Sequence, residues 1–259
     1  MPHSHEERAG IVILLLLGSS SHVSRTVETS SRVIPAVAIT GAADGTVDLA
    51  TLARISVREA EVLPIVELFR ESVSRLAAVV LPEAVVESTG PPPECLRIEL
   101  DGVTGGVFSR TQGIRADGRP LDDERYRIVV EDEGVLVQAP AGEGVHRALT
   151  SLVQLAALGN GVLPRATIDD CPGLSWRGLS IDVVRTFVPV DELKRVIDML
   201  SLYKLNVLHV HLTDNEGWRL QIRAWPRLTE VGGVGAWGDR SGGYDTQGEF
   251  RELVDYAAS

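Results

Sequence analysis

Two stretches of this 259-residue chain gather polar side chains of the kinds that grip small molecules. In the first, Asp182-Val183-Val184-Arg185 closes a mostly apolar run; in the second, His209-Val210-His211-Leu212-Thr213-Asp214-Asn215-Glu216-Gly217-Trp218-Arg219 does the same. Arg185 can donate a forked pair of hydrogen bonds to vicinal hydroxyls and Asp214 can accept from others, which is what holding a neutral sugar requires. A salt bridge between them is the plainer alternative. His209 and His211 sit two apart on a strand and so face the same way, a spacing used by some metal-dependent barrel hydrolases. No other His lies beyond His211, and the competing reading is that both hydrogen-bond polar neighbours inside the fold.

Other motifs carry less. Gly233-Val234-Gly235-Ala236-Trp237-Gly238 has the spacing of a dinucleotide loop, but it follows Pro226-Arg227-Leu228-Thr229 rather than a strand and leads into no helix, so it reads as a mobile loop. All four tryptophans, Trp176, Trp218, Trp225 and Trp237, fall in the second half of the chain. Aromatic faces stack on pyranose rings, so this clustering suits a sugar cleft, although core packing is the commoner use. Cys95 and Cys171 are far apart and outside any CxxC spacing, so neither a disulfide framework nor a cysteine zinc site is expected.

The elements that must carry these residues follow from periodicity. Arg177–Val184 reads as a strand, Pro189-Val190-Asp191-Glu192 opens a helix with a rigid φ and acidic side chains at its positive end, and Leu205–Leu212 reads as a second strand. Leu193, Val196, Ile197, Leu200 and Tyr203 form the buried stripe of that helix. Continuous apolar strands joined by a helix predict a parallel βαβ unit buried on both faces, which places both polar clusters at the C-terminal strand ends, where α/β proteins bind ligands. Phe250, Leu253, Val254 and Ala257 begin another helix. Periodicity leaves a doubly wound sheet and a (β/α)8 barrel both open.

Ahead of this unit the pattern differs. Val62, Ile65, Val66, Phe69, Val73 and Leu76 mark one helix, with Pro64 tolerated near its start; Val145, Leu149, Leu152, Val153 and Ala156 mark another. Leu96–Leu100 reads as a strand, and Tyr126, Ile128 and Val130 alternate before a turn at Glu133-Gly134 and a return over Val135–Ala139, which predicts a hairpin. Strands covered by two helices on one face make an α+β domain. The boundary is expected at Asp169-Asp170-Cys171-Pro172-Gly173, giving a leader over residues 1–31, an α+β domain over 32–170 and a different unit over 171–259.

Composition bounds the function. With 44% hydrophobic residues the chain can fill a core, and a formal charge of −11 disfavours nucleic acid and anionic membranes as partners. The apolar run at 10–18 is far shorter than the roughly 20 residues a spanning helix needs. It resembles the hydrophobic part of a secretory signal, with serines after Gly18, yet Glu6-Glu7-Arg8 supplies no clear positive region, so the sequence assigns neither secretion nor the cytoplasm.

Three segments are similar to glycoside hydrolase family 20: Trp176 through Arg185, Asp191 through Asp198, and Tyr203 through Asp214 with Gly217-Trp218-Arg219. Arg165 through Pro172 and the stretch 144–155 also resemble the end of the small α+β domain that precedes the catalytic barrel in that family. The resemblance implies an α+β domain followed by the first units of an incomplete (β/α)8 TIM barrel. It implies a β-N-acetylhexosaminidase, an exo-glycosidase that removes terminal β-linked N-acetylglucosamine or N-acetylgalactosamine with retention, using the substrate's acetamido oxygen as nucleophile. By motif position Arg185 and Asp214 are the substrate-binding residues, and neither a metal nor an organic cofactor is implied. The family's catalytic Asp-Glu pair follows a Gly-Gly on a later strand. The adjacent pairs here, Asp123-Glu124, Asp132-Glu133 and Asp191-Glu192, lie in the small domain or at a helix start, so residues 1–259 are expected to be a truncated, inactive portion. Thr186 replaces a frequent His and Asn215 a frequent second Asp. Two rival readings are a metal-dependent TIM-barrel hydrolase using His209 and His211, and a non-catalytic sugar-binding remnant.

Overall fold

The structure, a computed structural model, describes residues 33–87, 94–100, 123–238 and 240–258. The leader with its apolar run at 10–18 lies outside the described residues. Among the described residues no helix is long and apolar enough to cross a membrane.

The first part of the chain runs β1 (Ile39–Asp48), β2 (Arg54–Val57), α1 (Leu63–Ala77), β3 (Ala84–Val86), β4 (Cys95–Leu100), β5 (Tyr126–Glu131), β6 (Gly134–Ala139), α2 (Gly142–Gly159) and β7 (Val162–Asp170). The strands form one mixed sheet in the order β1-β7-β5-β6-β4-β2-β3. β5 and β6 are the expected hairpin, closed by the two residues Asp132 and Glu133. Gly134 follows with φ 128°, and a Cβ there would stand 2.2 Å from the Cys95 carbonyl oxygen, so only glycine fits the close approach of β4.

Tyr126, Ile128 and Val130 point into the core that α1 and α2 cover, together with Ile55, Ile98 and Val137. The expected stripe of α2, Val145, Leu149, Leu152, Val153 and Ala156, is buried in that core. Full burial of a side chain such as Leu152 contributes about 1.5–3 kcal/mol relative to exposure. In α1, Val66, Phe69 and Val73 are buried, but Leu76, which helical spacing assigns to the same stripe, is 42% exposed. The helix ends at Ala77, one residue past Leu76, and its cap Ala78 turns left-handed.

The second part runs β8 (Gly178–Asp182), α3 (Val190–Leu202), β9 (Val207–His211), the short pair β10 (Thr213–Asp214) and β11 (Gly217–Trp218), α4 (Arg227–Gly232) and α5 (Gln247–Ala258). β8 and β9 are parallel, with Asp182 opposite His211, and α3 makes the crossover. Ile181, Val210 and Leu212 pack with Val190, Leu193, Ile197, Phe250 and Leu253 beneath α3 and α5. The unit is therefore βαβ, but it is not covered on both faces as its apolar strands suggest. Alternate residues face away from the helices, and Leu179 is 42% exposed.

A buried polar network joins the two parts. Lys204, left-handed at φ 58° just after α3, donates to Ser151 Oγ on α2 at 2.6 Å and to Tyr126 OH at 3.1 Å, and Tyr126 donates to Asp170 at 2.7 Å. Burial lowers the Lys204 ammonium to about 8. Glu124, with no side-chain exposure, accepts from Arg147 on α2 at 2.8 Å and from Arg177, which precedes β8, at 2.5 Å.

Candidate functional site

Because β8 and β9 run parallel and in register, their C-terminal ends lie side by side, and the residues that follow them converge. Arg185 Nη2 is 2.6 Å from Asp214 Oδ2, Arg185 Nη1 is 2.8 Å from Asp182 Oδ2, and Arg185 Nε is 3.3 Å from Glu216 Oε2. The two residues singled out from sequence are thus brought into direct contact. Asp182 and Glu216, to which sequence reasoning gave no role, complete the ring of acceptors.

Asp214 is held down to about 2: its carboxylate accepts the Asn215 amide at 2.7 Å and pairs with His211 Nε2 at 3.0 Å, with the Arg185 guanidinium adding to both. Asp182 is also held below the usual carboxylate range. Desolvation opposes this, but the amides of Arg185 and Val184 and the Arg185 side chain outweigh it. Asp214 and Asp182 are therefore ionised acceptors beside one planar donor, at the exposed end of the sheet, suited to exchanging hydrogen bonds with the hydroxyls of a small polar ligand.

His209 and His211 hydrogen-bond to neighbours rather than to one another, His209 Nδ1 to Ser180 Oγ at 3.1 Å and His211 to Asp214. Among the described residues no group of three or more His, Cys, Asp or Glu side chains is arranged to hold a metal ion.

The glycine-rich segment read as a mobile loop is tied to the cluster instead. Trp237 N donates to the Arg185 carbonyl at 3.1 Å, and Arg240 donates to Thr186 Oγ1 at 2.7 Å. Trp237 is linked to the cluster in this way and is 65% exposed, and Trp218 lies opposite Thr213 in the pair β10–β11 that carries Asp214. Trp176 precedes the N-terminal end of β8, away from Arg185, while Trp225 is 70% exposed ahead of α4.

Sequence reasoning also passed over Arg219. It is 0% exposed, and its guanidinium faces main-chain carbonyls on three sides. A signal was present: glycines at 217, 232, 235 and 243 permit a close approach of backbone to a bulky side chain.

Parallel strands with a polar cluster at their C-terminal ends define an α/β protein of the barrel or doubly wound type. Comparison with known proteins narrows this. The family described as "Glycosyl hydrolase family 20, domain 2" matches residues 30–171, and "Glycosyl hydrolase family 20, catalytic domain" matches residues 174–259. The chain belongs to glycoside hydrolase family 20.

A β-N-acetylhexosaminidase of Cellulomonas fimi is 39% identical over 160 residues, 61% of this chain and 32% of that protein. N,N'-diacetylchitobiase of Vibrio harveyi is 34% identical over 151 residues, 51% of this chain and 17% of that protein. Among solved structures, Streptomyces plicatus N-acetyl-β-hexosaminidase in complex with Thio-NAglucal superposes with a TM-score of 0.71 at 32% identity, over 88% of this chain and 43% of that one. Its D313N variant, solved in complex with the product GlcNAc, gives the same values. The chain thus spans about a third or less of the curated relatives it matches and under half of these solved chains.

Proposed function

We propose that this protein acts as a β-N-acetylhexosaminidase, releasing terminal β-linked N-acetylglucosamine or N-acetylgalactosamine from glycans, and that residues 1–259 form its small domain and the first sugar-gripping units of its barrel. Residues 32–170 are the non-catalytic α+β domain and 171–259 the start of the catalytic barrel. Arg185 donates to vicinal hydroxyls of the terminal sugar, while Asp214, ionised throughout the working pH range, accepts from a hydroxyl and keeps the guanidinium aimed. What supports this reading is the 2.6 Å contact between these two side chains at neighbouring strand ends of a family 20 chain.

In the family mechanism the acetamido oxygen of the substrate attacks the anomeric carbon, an Asp orients that acetamide, and the adjacent Glu protonates the leaving oxygen and then activates water. Arg185 and Asp214 contribute orientation, not proton transfer, and the reaction needs no metal or organic cofactor. The Asp-Glu pairs of this chain are employed elsewhere: Glu124 is buried against Arg147 and Arg177, and Asp191 and Glu192 open α3.

Calorimetric titration of N-acetylglucosamine into the chain is expected to give a saturable isotherm, weakened on the order of tenfold or more by Arg185→Ala through loss of charge-assisted hydrogen bonds. Heats of dilution alone from the unaltered chain would end the proposal.

A further inference from the structure

We propose that Arg219 is a positioning residue, a buried hub that holds the backbone carrying Arg185 and the loop segments 232–238 and 240–243 as one rigid rim. A guanidinium has five N–H donors. Here Nε donates to Val183 O at 3.2 Å, Nη2 to Val184 O at 2.6 Å and Gly235 O at 2.8 Å, and Nη1 to Gly243 O at 3.0 Å and Gly232 O at 3.5 Å. Each donor is engaged by a main-chain carbonyl, and the side chain is 0% exposed. No carboxylate is within salt-bridge distance among the described residues, so carbonyl dipoles make all the direct contacts to the buried charge, with Asp182 acting on it from farther away.

The partners explain the role. Val183 and Val184 immediately precede Arg185, whereas Gly232, Gly235 and Gly243 span the loop whose Trp237 amide bonds back to the Arg185 carbonyl. Arg219 itself is fixed by main-chain bonds, donating to Leu212 O at the end of β9 and accepting from the Asp245 amide. One planar group therefore ties together the ends of both strands and the loop. The surrounding glycines are a steric requirement: a Cβ on Gly217 would lie 2.7 Å from Arg219 Nη2 and 2.8 Å from Cζ. Movement of this hub shifts the main chain next to Arg185, and misplacing a binding group by about an ångström weakens its interactions severely.

The inference rests on Arg185 holding the sugar, so the test reads positioning separately from binding. Amide hydrogen exchange is measured on the unaltered chain, Arg219→Met and Arg219→Lys, alongside calorimetry with N-acetylglucosamine. In Arg219→Met, faster exchange is expected across 183–187 and 233–243, the Trp237 amide included, with unchanged exchange in β5 and β6. Sugar affinity is expected to fall on the order of tenfold, with Arg219→Lys intermediate because an ammonium supplies fewer donors and no planar fork. Combining Arg219→Met with Arg185→Ala is expected to cost no more than Arg185→Ala alone, since both act through one group.

Exchange unchanged in these segments, or affinity losses that multiply in the double variant, would overturn the role of Arg219. If the unaltered chain fails to bind the sugar, the sugar reading falls, and the exchange arm still decides on Arg219. Should Arg219→Met not fold, Gly217→Ala keeps the charge but displaces the guanidinium. It is expected to give the same exchange pattern, and failure to do so counts against the proposal.

Discussion

Arg185 Nη2 lies 2.6 Å from Asp214 Oδ2, joining the loops that follow two adjacent parallel strands. Asp182 and Glu216 contact the same guanidinium, so one positive charge sits among three negative ones. That imbalance sets what the site can accept.

Three carboxylates flank Arg185 and repel an anion brought beside it. N-acetylglucosamine 6-sulfate is expected to bind several-fold more weakly than N-acetylglucosamine in calorimetric titrations at low salt. The gap is expected to narrow as ionic strength rises, because the screening length shrinks from about 10 Å at 0.1 M to about 3 Å at 1 M. Equal affinity at low salt would mean that the carboxylates do not face the ligand.

Glu124 is the acidic centre of a buried triad, with Arg147 and Arg177 on either side. Glu124→Gln removes the carboxylate that both guanidinium groups contact and leaves Arg147 only the more distant charge of Glu143, an imbalance that costs about 3–5 kcal/mol in comparable buried pairs. Urea denaturation is expected to show a loss of that order. A change below about 1 kcal/mol would show that water or other groups compensate.

Asp245 is 2% exposed, and its Oδ2 has no hydrogen-bond partner. Burial, reinforced by the charge of Glu249, raises its carboxyl from 3.8 to about 6. The folded state therefore holds a proton that the unfolded chain has already released, so stability falls as pH rises from about 4 to about 6, and the penalty persists above that. Asp245→Asn is expected to stabilise the chain by about 2 kcal/mol at pH 7 and by little at pH 4, read from melting curves at both values.

His146, half-buried on α2 and bonded to Ser201 Oγ at 3.0 Å, is lowered from 6.5 to about 3, by burial first and by the charge of Arg147 second. The unfolded chain takes up this proton on acidification before the folded one does, so stability falls as pH drops from 6.5 towards 3. Between pH 6.5 and 5 the contribution is up to about 2 kcal/mol. His146→Gln is expected to flatten that part of the stability profile relative to the unaltered chain, and parallel profiles would refute the assignment.

Local patterns were legible where neighbours in sequence are neighbours in space. The 3.6-residue stripe of α2, the alternation of β5 and β6 about their turn, and the apolar runs of β8 and β9 around α3 all follow from side-chain period and turn chemistry. Pairings over long separations carried no such signal: β7 inserts between β1 and β5, and that choice belongs to the whole sheet.

The candidate site divides along the same line. Residue type and position at a strand end were enough to single out Arg185 and Asp214, because parallel strands deliver their C-terminal ends to one rim. Glu216 joined Arg185 only once the chain turned back, Asp182 was a local partner three residues away that sequence reasoning gave no role, and Arg219 read as one more charged residue beside Trp218. Whether an arginine meets water, a carboxylate or a cage of carbonyls depends on which loops close over it. The sequence by itself determined α1, α2, α3 and the start of α5, the hairpin and the parallel pairing of β8 and β9, and it singled out two residues at their ends, since those depend on period and local chemistry. Only the tertiary structure decided the buried networks of Glu124 and Lys204 and the burial of Arg219, because desolvation and hydrogen-bond satisfaction depend on distant segments arriving at one place.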